Sequence, residues 1–328
     1  MKDLAKRAIL ASGALRLISP SATAAILMYH SVMPEPAAHS DSLGGIIHSE
    51  SEFRAQMELL ARDYHPVSLD EVVDGLNSRK DFASRSVVVT FDDGYTDNSE
   101  VAMPVLNQLG IPATFYVTVD CVERRKLPWP SRLRFAFGKT KLQAWADSHG
   151  TSWRLGDSDS RERAYLTSCD DCCQLSGKVQ EDFVRRIEEQ LRASAPEDLG
   201  SLMMSYDQVR SLAEHGHIVG SHTMTHPNMA YIPEQDAKAE LAESKKHLER
   251  ELKATIKHFS YPCPAMTPHW SEKTVAQSRS VGYESAVTTN GGVTRCGDNP
   301  LSLKRIRPTK TAEGLRWNLE YAFAGRAV

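Results

Sequence analysis

The chain has 328 residues, of which 41% are hydrophobic and 25% are charged, values that are typical of a globular protein with a large core. Its formal net charge is -3 and its aromatic content is 7%, so neither a basic surface nor a stacking surface for nucleic acid is indicated. The length allows one large α/β domain or two smaller ones, and no stretch reaches the roughly 18 apolar residues that a transmembrane segment needs.

The first 25 residues combine early positive charges, an apolar stretch at 8–15 and small residues at 21–25, a pattern that resembles a weak secretory signal. Arg16 interrupts the apolar stretch. A cut after the small residues would also fall just before AILMYH, which is typical of a core strand. We therefore expect a cytoplasmic chain, with export through this weak signal as the alternative.

Strands and helices alternate through the first third of the chain. The apolar runs AILMY at 25–29, SVVVTF at 86–91 and PATFYVTV at 112–119 predict buried strands. A helix with Ser51 as its N-cap follows the first run, and a helix ended by Gly110 follows the second. This order predicts a parallel sheet with crossover helices.

The pattern changes from about residue 123 to residue 201, where apolar density falls and charge rises. SDSRERAYLTSC and VQEDFVRRIEEQLRAS have the periodicity of amphipathic surface helices. We interpret 123–201 as a helical insertion within a single domain that spans 1–328, and not as a separate domain.

Six cysteines are present, at positions 121, 169, 172, 173, 263 and 296. Their spacing does not suggest a disulfide framework, and the chain is too long to need one. CDDCC at 169–173 lacks the second pair of ligands that a structural zinc site requires. We expect unpaired surface thiols.

The alternation resumes after the insertion. A helix ended by Gly216 precedes a strand, HIVGSH, and the pattern then predicts a long charged helix, a strand in IKHFSYP, a helix, a strand in YESAVTT, a short strand in LSLKRI and a last helix at 312–323. About seven strand-and-helix units result. An irregular α/β barrel is therefore favoured over an open doubly wound sheet.

TFDDGYTDN sets Asp92 and Asp93 directly after the strand at 86–91. Neighbouring side chains at a strand end point to opposite sides, and the C-terminal ends of parallel strands are where α/β folds build their sites. Adjacent carboxylates repel unless a cation lies nearby, so one fits a metal ligand and the other a base. The alternative is an Asp-Asp-Gly turn that caps the next helix.

GSHTMTH places His222 and His226 four residues apart after a predicted strand. On a helical turn this spacing brings both imidazoles to one face, as metal sites use it. Two imidazoles and one carboxylate indicate a catalytic rather than a closed structural site. A loop with two solvated histidines is the alternative.

HFSYPCPAM at 258–266 ends a third predicted strand in a Tyr-Pro step, which fixes an extended backbone. The peptide N–H of Cys263 is then free to face the site. A rigid exit from strand to loop is the alternative, and it requires no part in chemistry.

These motifs, in this order, resemble those of the polysaccharide deacetylase family, the NodB homology group or carbohydrate esterase family four. The resemblance runs from ILMYHSV at 26–32 to SLKRIRP at 302–308, outside the insertion, and VGYESAVTTNGG indicates the bacterial exopolysaccharide and xylanase/chitin deacetylase branch. It implies a distorted (β/α)7-type barrel, in agreement with the number of strand-and-helix units.

The resemblance implies that Asp92 is the catalytic base and that Asp93, His222 and His226 bind a divalent metal, usually Zn²⁺, with Co²⁺ or Ni²⁺ as substitutes. The implied reaction is metal-assisted hydrolysis of an N- or O-acetyl group. The backbone N–H of Cys263 is expected to help hold the oxyanion.

Two departures from the family pattern concern the base and the acid. The third motif of many members carries an Arg that orients the base, and here Arg305 or Arg307 of SLKRIRP is expected to replace it. The last motif often ends in a His that acts as general acid, and SLKRIRP has none. We expect His30 of MYHSV to serve instead; a structural hydrogen bond beneath the metal site is its alternative role.

The expected function is removal of acetyl groups from an acetylated oligo- or polysaccharide, foremost the N-acetylglucosamine units of a bacterial polysaccharide. One alternative is a metal-dependent amidohydrolase acting on a small non-sugar amide. A carbohydrate-binding barrel that has lost turnover is the other, although pure binding needs no base beside the metal ligands.

Overall fold

A computed structural model of the protein describes residues 23–326, except 80, 81 and 84, together with positions 6, 9, 10, 12, 13 and 15. The weak secretory signal predicted over the first 25 residues lies largely outside the described residues. Within the described part, no helix has both the length and the apolar character that crossing a membrane requires.

Parallel strands form a nearly closed barrel, as predicted. In chain order, which is also their order around the barrel, the seven that the described residues contain are Thr23–Tyr29, Ser86–Phe91, Ala113–Val117, Ile218–Ser221, His258–Ser260, Ser285–Gly291 and Leu303–Arg305. Hydrogen bonds from Ile306 N to Ile26 O (2.7 Å) and from Met28 N to Ile306 O (3.1 Å) bring the last strand back to the first. The distorted (β/α)7-type barrel is confirmed.

Short strands extend this sheet and form two further pairs. His65–Pro66 runs parallel to the second barrel strand, and Thr294–Arg295 runs antiparallel to the first. The two separate pairs are Ser31–Met33 with Ile47–Ser49, and Ala144–Ala146 with Ser152–Arg154. The first of these pairs lies beside the carboxyl end of the first barrel strand.

Helices cover the outside of the barrel and build the insertion. In the described residues the α-helices are Ser40–Leu43, Glu50–Asp63, Leu69–Ser78, Met103–Leu109, Val119–Glu123, Trp129–Lys139, Ser158–Cys172, Gly177–Leu191, Tyr206–Glu214, Glu234–Leu252, Glu272–Val281 and Ala312–Phe323. The helices predicted to end at Gly110 and Gly216 stop one or two residues before those glycines, both of which have positive φ.

The first long helix begins two residues earlier than its predicted N-cap, Ser51, would allow. Ser49 is the N-cap: its side chain accepts from Glu52 N (3.2 Å), and the Glu52 carboxylate accepts from Ser49 N (2.9 Å). This reciprocal capping box uses the spacing S-x-x-E, which the sequence contains at 49–52. The prediction of Ser51 was wrong because it considered a single cap residue without its partner.

The first three barrel strands are buried on both faces, which explains their unbroken apolar runs. All residues of Ser86–Phe91 are buried. The Phe91 and Phe115 rings of neighbouring strands stack at 4.7 Å between centroids, and Tyr29 stacks on Phe91 at 5.5 Å. Burial of each such side chain contributes about 1.5–3 kcal/mol. Phe53 of the helix Glu50–Asp63 packs edge-on against Phe91 at 5.7 Å, so this stack joins the sheet to the helix that covers it.

The insertion has an apolar cluster of its own, built by the helices at 129–139, 158–172 and 177–191. The CDDCC cysteines belong to it: Cys169, Cys172 and Cys173 are buried, so their prediction as surface thiols was wrong. The helix they lie on turns them inward, where thiols behave as small apolar groups. That the insertion belongs to one domain spanning 1–328 stays a prediction.

A glycine allows the fourth barrel strand to approach its neighbours closely. A Cβ at Gly220 would lie 2.5 Å from Cδ1 of Tyr116 and 2.9 Å from the carbonyl oxygen of His258. Both distances are below van der Waals contact, so only glycine fits between these two strands. The strand ends one residue later, at Ser221, and His222 follows it directly.

Candidate metal centre and active-site cavity

A cavity of about 410 Å³ opens at the carboxyl ends of the barrel strands. His30 lines it just after the first strand, Asp92 and Asp93 just after the second, and His222 just after the fourth. This is the end at which α/β barrels place their reactive groups. The strand ends thus bring together residues that lie nearly 200 positions apart in the sequence.

Asp93, His222 and His226 form a compact buried cluster. The Asp93 Oδ1 atom lies 3.4 Å from Nε2 of His222 and 3.3 Å from Nε2 of His226, and one ligand atom from each residue lies within 4.8 Å of the others. Buried at 5% exposure, Asp93 has no hydrogen-bond partner for Oδ1 among the described residues. Two imidazole nitrogens and an oxygen in this arrangement suit a divalent transition metal such as Zn²⁺.

A hydrogen bond sets the orientation of the His222 ring. Its Nδ1–H donates to the carbonyl oxygen of Ser260, 2.8 Å away, at the end of the fifth barrel strand. The tautomer that makes this bond leaves Nε2 with a lone pair facing Asp93. Metal-binding histidines are commonly held in this way by a partner on the second nitrogen.

The two histidines do not lie on a helical turn, so that part of the prediction was wrong. Residues 222–228 form an irregular loop in which Thr223 and His226 have φ values of 68° and 61°. The loop is held from within, because the Thr223 hydroxyl accepts from His226 N at 3.0 Å. The imidazoles of His222 and His226 therefore meet because two residues of the loop are left-handed, and not because of helical periodicity.

Two distant side chains hold this histidine loop, and sequence reasoning missed both. Buried Glu240 accepts hydrogen bonds from Met224 N (2.8 Å), Thr225 N (3.0 Å) and the Thr225 hydroxyl (2.6 Å). Trp129, on the first helix of the insertion, donates its indole N–H to the His226 carbonyl at 2.9 Å. The long helix that carries Glu240 is rich in charge, so its sequence gives no signal that this one carboxylate points inward.

Burial and neighbouring charges shift the pKa values of the cluster in opposite directions. Burial favours the neutral form of Asp93, but the adjacent His222 and His226 outweigh it and lower its pKa well below the usual value. Burial likewise favours neutral His222, but the charges of Asp92 and Asp93 outweigh it and raise its pKa. The cluster thus stabilises a positive charge beside Asp93, as a metal site does.

Asp92 lies beside this cluster and forms a two-point ion pair with Arg305. The Arg305 guanidinium donates to both carboxylate oxygens, at 2.8 and 2.7 Å, and the arginine is 1% exposed. It also donates to the Thr288 carbonyl (2.9 Å) and to the Ser260 hydroxyl (3.1 Å). With a further bond to the Thr90 hydroxyl (3.2 Å), the planar guanidinium makes five hydrogen bonds, and it fixes the orientation of the carboxylate.

Arg305, one of the two predicted replacements for the missing arginine, therefore lies beside Asp92. Of the two candidates, Arg305 contacts Asp92, and Arg307 lines the cavity instead. Burial alone raises the pKa of Asp92, but the Arg305 charge and the neighbouring histidines outweigh it, so the pKa lies below its usual value. Asp92 is ionised at neutral pH and available to accept a proton.

His30 and Cys263 also line the cavity. Asn98 donates to the His30 carbonyl at 2.7 Å, and burial lowers the pKa of the His30 ring, against the charges of Asp93 and Asp92. The Cys263 thiol lies 2.9 Å from Nε2 of His269. None of the hydrogen bonds between described residues uses the Cys263 N–H, which leaves that donor available to a ligand.

Several lining residues were not predicted from the sequence. Ser131, Arg134 and Tyr165 reach the cavity from the insertion, while His48 and Lys310 reach it from opposite ends of the chain. None belongs to a motif, and Tyr165 lies in a segment that the sequence pattern assigns to a surface helix. Their contact with the site depends on how the insertion packs on the barrel.

A family model described as polysaccharide deacetylase matches residues 79–286, more than half of the chain. YxkH of Bacillus subtilis (strain 168), which carries a provisional description as a polysaccharide deacetylase, is 24% identical over 290 residues, covering 88% of this chain and 72% of YxkH.

Two solved structures share the fold. The Streptococcus pyogenes deacetylase PplD, in complex with acetate, is 19% identical with a TM-score of 0.60, covering 92% of this chain and 99% of PplD. IcaB from Ammonifex degensii is 20% identical with a TM-score of 0.59, covering 93% of this chain and 99% of IcaB. At these identities the two structures support the barrel architecture and leave the substrate open.

Proposed function

The chain belongs to the polysaccharide deacetylase family, and on that premise we propose that it is a metal-dependent hydrolase that removes acetyl groups from N-acetylglucosamine units of a bacterial polysaccharide. Membership of the family by itself supports the coarser statement, hydrolysis of acetyl groups on a carbohydrate. The proposal adds that hydrolysis depends on a metal and that the sugar is N-acetylglucosamine.

One observation carries the proposal: two neighbouring aspartates have separate partners. Asp93 faces His222 and His226, whereas Asp92 is held by Arg305 on the other side. A barrel that only bound sugar would not need an ionised, oriented carboxylate beside a cluster of metal-ligating groups. Metal-assisted hydrolysis needs both groups: the cluster to hold the metal ion, and the carboxylate to accept the proton of the attacking water.

Residues Asp93, His222 and His226 would hold the metal, for which Zn²⁺ fits two imidazoles and a carboxylate and Co²⁺ or Ni²⁺ would substitute. When bound, the ion supplies Lewis acidity to the acetyl carbonyl and lowers the pKa of a nearby water. Asp92 accepts the proton from that water, because Arg305 keeps it ionised and oriented. The Cys263 N–H donates to the oxyanion that develops on the acetyl oxygen.

The test is an acetate-release screen on the metal-loaded protein. We expect acetate from N-acetylglucosamine oligomers, with one new amine for each acetate, at a rate well above that from acetylxylan or a small N-acetylated amine. Comparing amine with acetate yield distinguishes N- from O-deacetylation. Turnover of the small amide alone would favour a non-sugar amidohydrolase, and stoichiometric metal without turnover of any substrate would favour a binding protein.

We propose His30 as the general acid that protonates the leaving amine, because it lines the same cavity as Asp92 and Asp93. Replacement of His30 with Gln is expected to lower deacetylation of N-acetylglucosamine oligomers by about 10²–10⁴-fold. The same variant should retain most of its activity on p-nitrophenyl acetate, whose leaving group departs without protonation. Steady-state rates on both substrates check this. Equal losses on both would assign His30 a structural role, and no loss on either would exclude it as the acid.

A further inference from the structure

The cavity carries more positive than negative side chains. Arg134, Arg307 and Lys310 line it, and the carboxylates that the described residues contribute to its wall are those of Asp92 and Asp93. Both of these carboxylates are engaged, the first by a buried arginine and the second by two imidazoles. The three cations therefore face the cavity without an acidic counterpart in its wall.

Two of these cations lack an ion-pair partner among the described residues. Lys310 donates to the carbonyl oxygens of Ile47 and Gly45, which fix the position of the ammonium group and leave its charge uncompensated. Arg307 is exposed and takes part in none of the ion pairs between described residues. Arg134 is partly compensated, since Glu162 lies 3.8 Å away and the guanidinium stacks over Tyr165 at 4.6 Å.

A buried polar atom without a partner lies in the same wall. His48 is 5% exposed and lines the cavity, and its Nδ1 has no hydrogen-bond partner among the described residues. Its Nε2 lies 3.3 Å from the Thr309 carbonyl, one residue before Lys310. An N–H at Nε2 donates to that carbonyl, so Nδ1 is left as an acceptor. The Thr309 carbonyl also accepts from Gln56 Nε2 at 2.6 Å, so the backbone between Arg307 and Lys310 is held in the cavity wall.

We propose that the acetylated sugar carries a phosphate group, bound by Arg307 and Lys310. The inference rests on the proposed deacetylase function and adds the class of its substrate. Two uncompensated cations match the charge of a phosphate, roughly -1.5 to -2 at neutral pH for a monoester, better than the single charge of a carboxylate. The neutral interior of an uncharged polymer would leave both cations without a counter-charge.

Rates on matched sugars test the proposal. The probes are methyl N-acetylglucosaminide, N-acetylglucosamine 1-phosphate, N-acetylglucosamine 6-phosphate, uridine diphosphate N-acetylglucosamine and, for a carboxylate, N-acetylmuramic acid. We expect kcat/KM for at least one phosphate probe to exceed that of the neutral sugar by about 10- to 100-fold. The three phosphate probes distinguish a phosphate at position 1 of the sugar, a phosphate at position 6 and a diphosphate linkage. The preference should shrink as salt rises from about 0.05 to 0.5 M.

Substitution of the two cations locates the effect. In Arg307→Met and Lys310→Met the ratio of phosphate to neutral kcat/KM should fall by about tenfold each, and in the double variant it should approach one. Lys304→Met is the matched control, because Lys304 is exposed on the last barrel strand and does not line the cavity; its ratio should equal that of the wild type.

Calorimetric binding separates this proposal from the proposed function. Asp92→Asn protein is titrated with the phosphate probes and with methyl N-acetylglucosaminide. If a phosphate probe binds more tightly than the neutral sugar, and if Lys310→Met weakens that binding, the inference is supported whatever the rate of turnover. Acetate release from neutral and phosphate sugars at equal rates, with equal affinities, would overturn the inference and leave the deacetylase intact. Preference for the carboxylate probe over every phosphate probe would overturn the assignment to phosphate.

Discussion

Replacing Asp92 with Asn is expected to lower kcat/KM for acetate release by about 10²–10⁴-fold while the protein still binds about one metal ion per chain. The amide has the same shape as the carboxylate but cannot accept the proton of the attacking water. Asp93, His222 and His226 keep their places in the variant, so metal binding and proton transfer are separated. Acetate release and metal analysis on the same preparation measure both.

The substitution also affects folding, which needs its own control. Arg305 is 1% exposed, and an amide leaves its charge without a counter-charge, which typically costs about 3–5 kcal/mol. We therefore expect a lower melting temperature, and the rates must be measured well below it. Asp70→Asn is the control, because Asp70 also forms an ion pair, with Lys257, but is outside the cavity. A near-normal rate in folded Asp92→Asn would remove Asp92 as the base.

Replacing His226 with Ala is expected to abolish metal binding and, with it, deacetylation. In the wild type we expect removal of the ion by a chelator to stop acetate release and Zn²⁺, Co²⁺ or Ni²⁺ to restore it. An ion that binds only the folded protein raises the free energy of unfolding by about 2.7 kcal/mol at one hundred times its Kd. The wild type should thus melt at a higher temperature with Zn²⁺, and His226→Ala should not respond.

The thermal shift makes this second prediction independent of turnover. His149→Ala serves as the control, because His149 lies 65% exposed in the insertion, paired with Asp171, and does not line the cavity. It should keep both the metal content and the Zn²⁺-dependent shift. Full activity in metal-free wild type, or one firmly bound ion per chain in His226→Ala, would contradict a metal held by Asp93, His222 and His226.

Patterns that are local in sequence predicted the parts of the protein that depend on neighbours along the chain. The apolar run at 86–91 is buried on both faces of the sheet, and the alternation of strands and helices led to a barrel. Gly110 ends its helix in the left-handed region, as a helix-terminating glycine does. The same locality explains why Asp92 and Asp93 could be recognised: they follow a strand whose end is readable from its residues.

Local reasoning failed where a contact crosses the molecule. The histidine loop was predicted as a helical turn, because spacing alone does not reveal that Thr223 and His226 have positive φ. The loop is stable in that form because Glu240 and Trp129, from two other helices, satisfy its polar groups. The thiols at 169–173 were predicted at the surface, because the apolar cluster that surrounds them is formed by three separate segments of the insertion.

The sequence by itself determined the strand ends, the order of the reactive residues along the chain and the membership of a family, since all of these follow from short motifs and their periodicity. Only the tertiary structure decided that Arg305 and not Arg307 holds Asp92, that the insertion enters the cavity with Arg134 and that the cavity is lined by unpaired cations. The physical reason is that hydrogen bonding and charge compensation depend on distances of a few ångströms between residues that the chain separates by up to 265 positions.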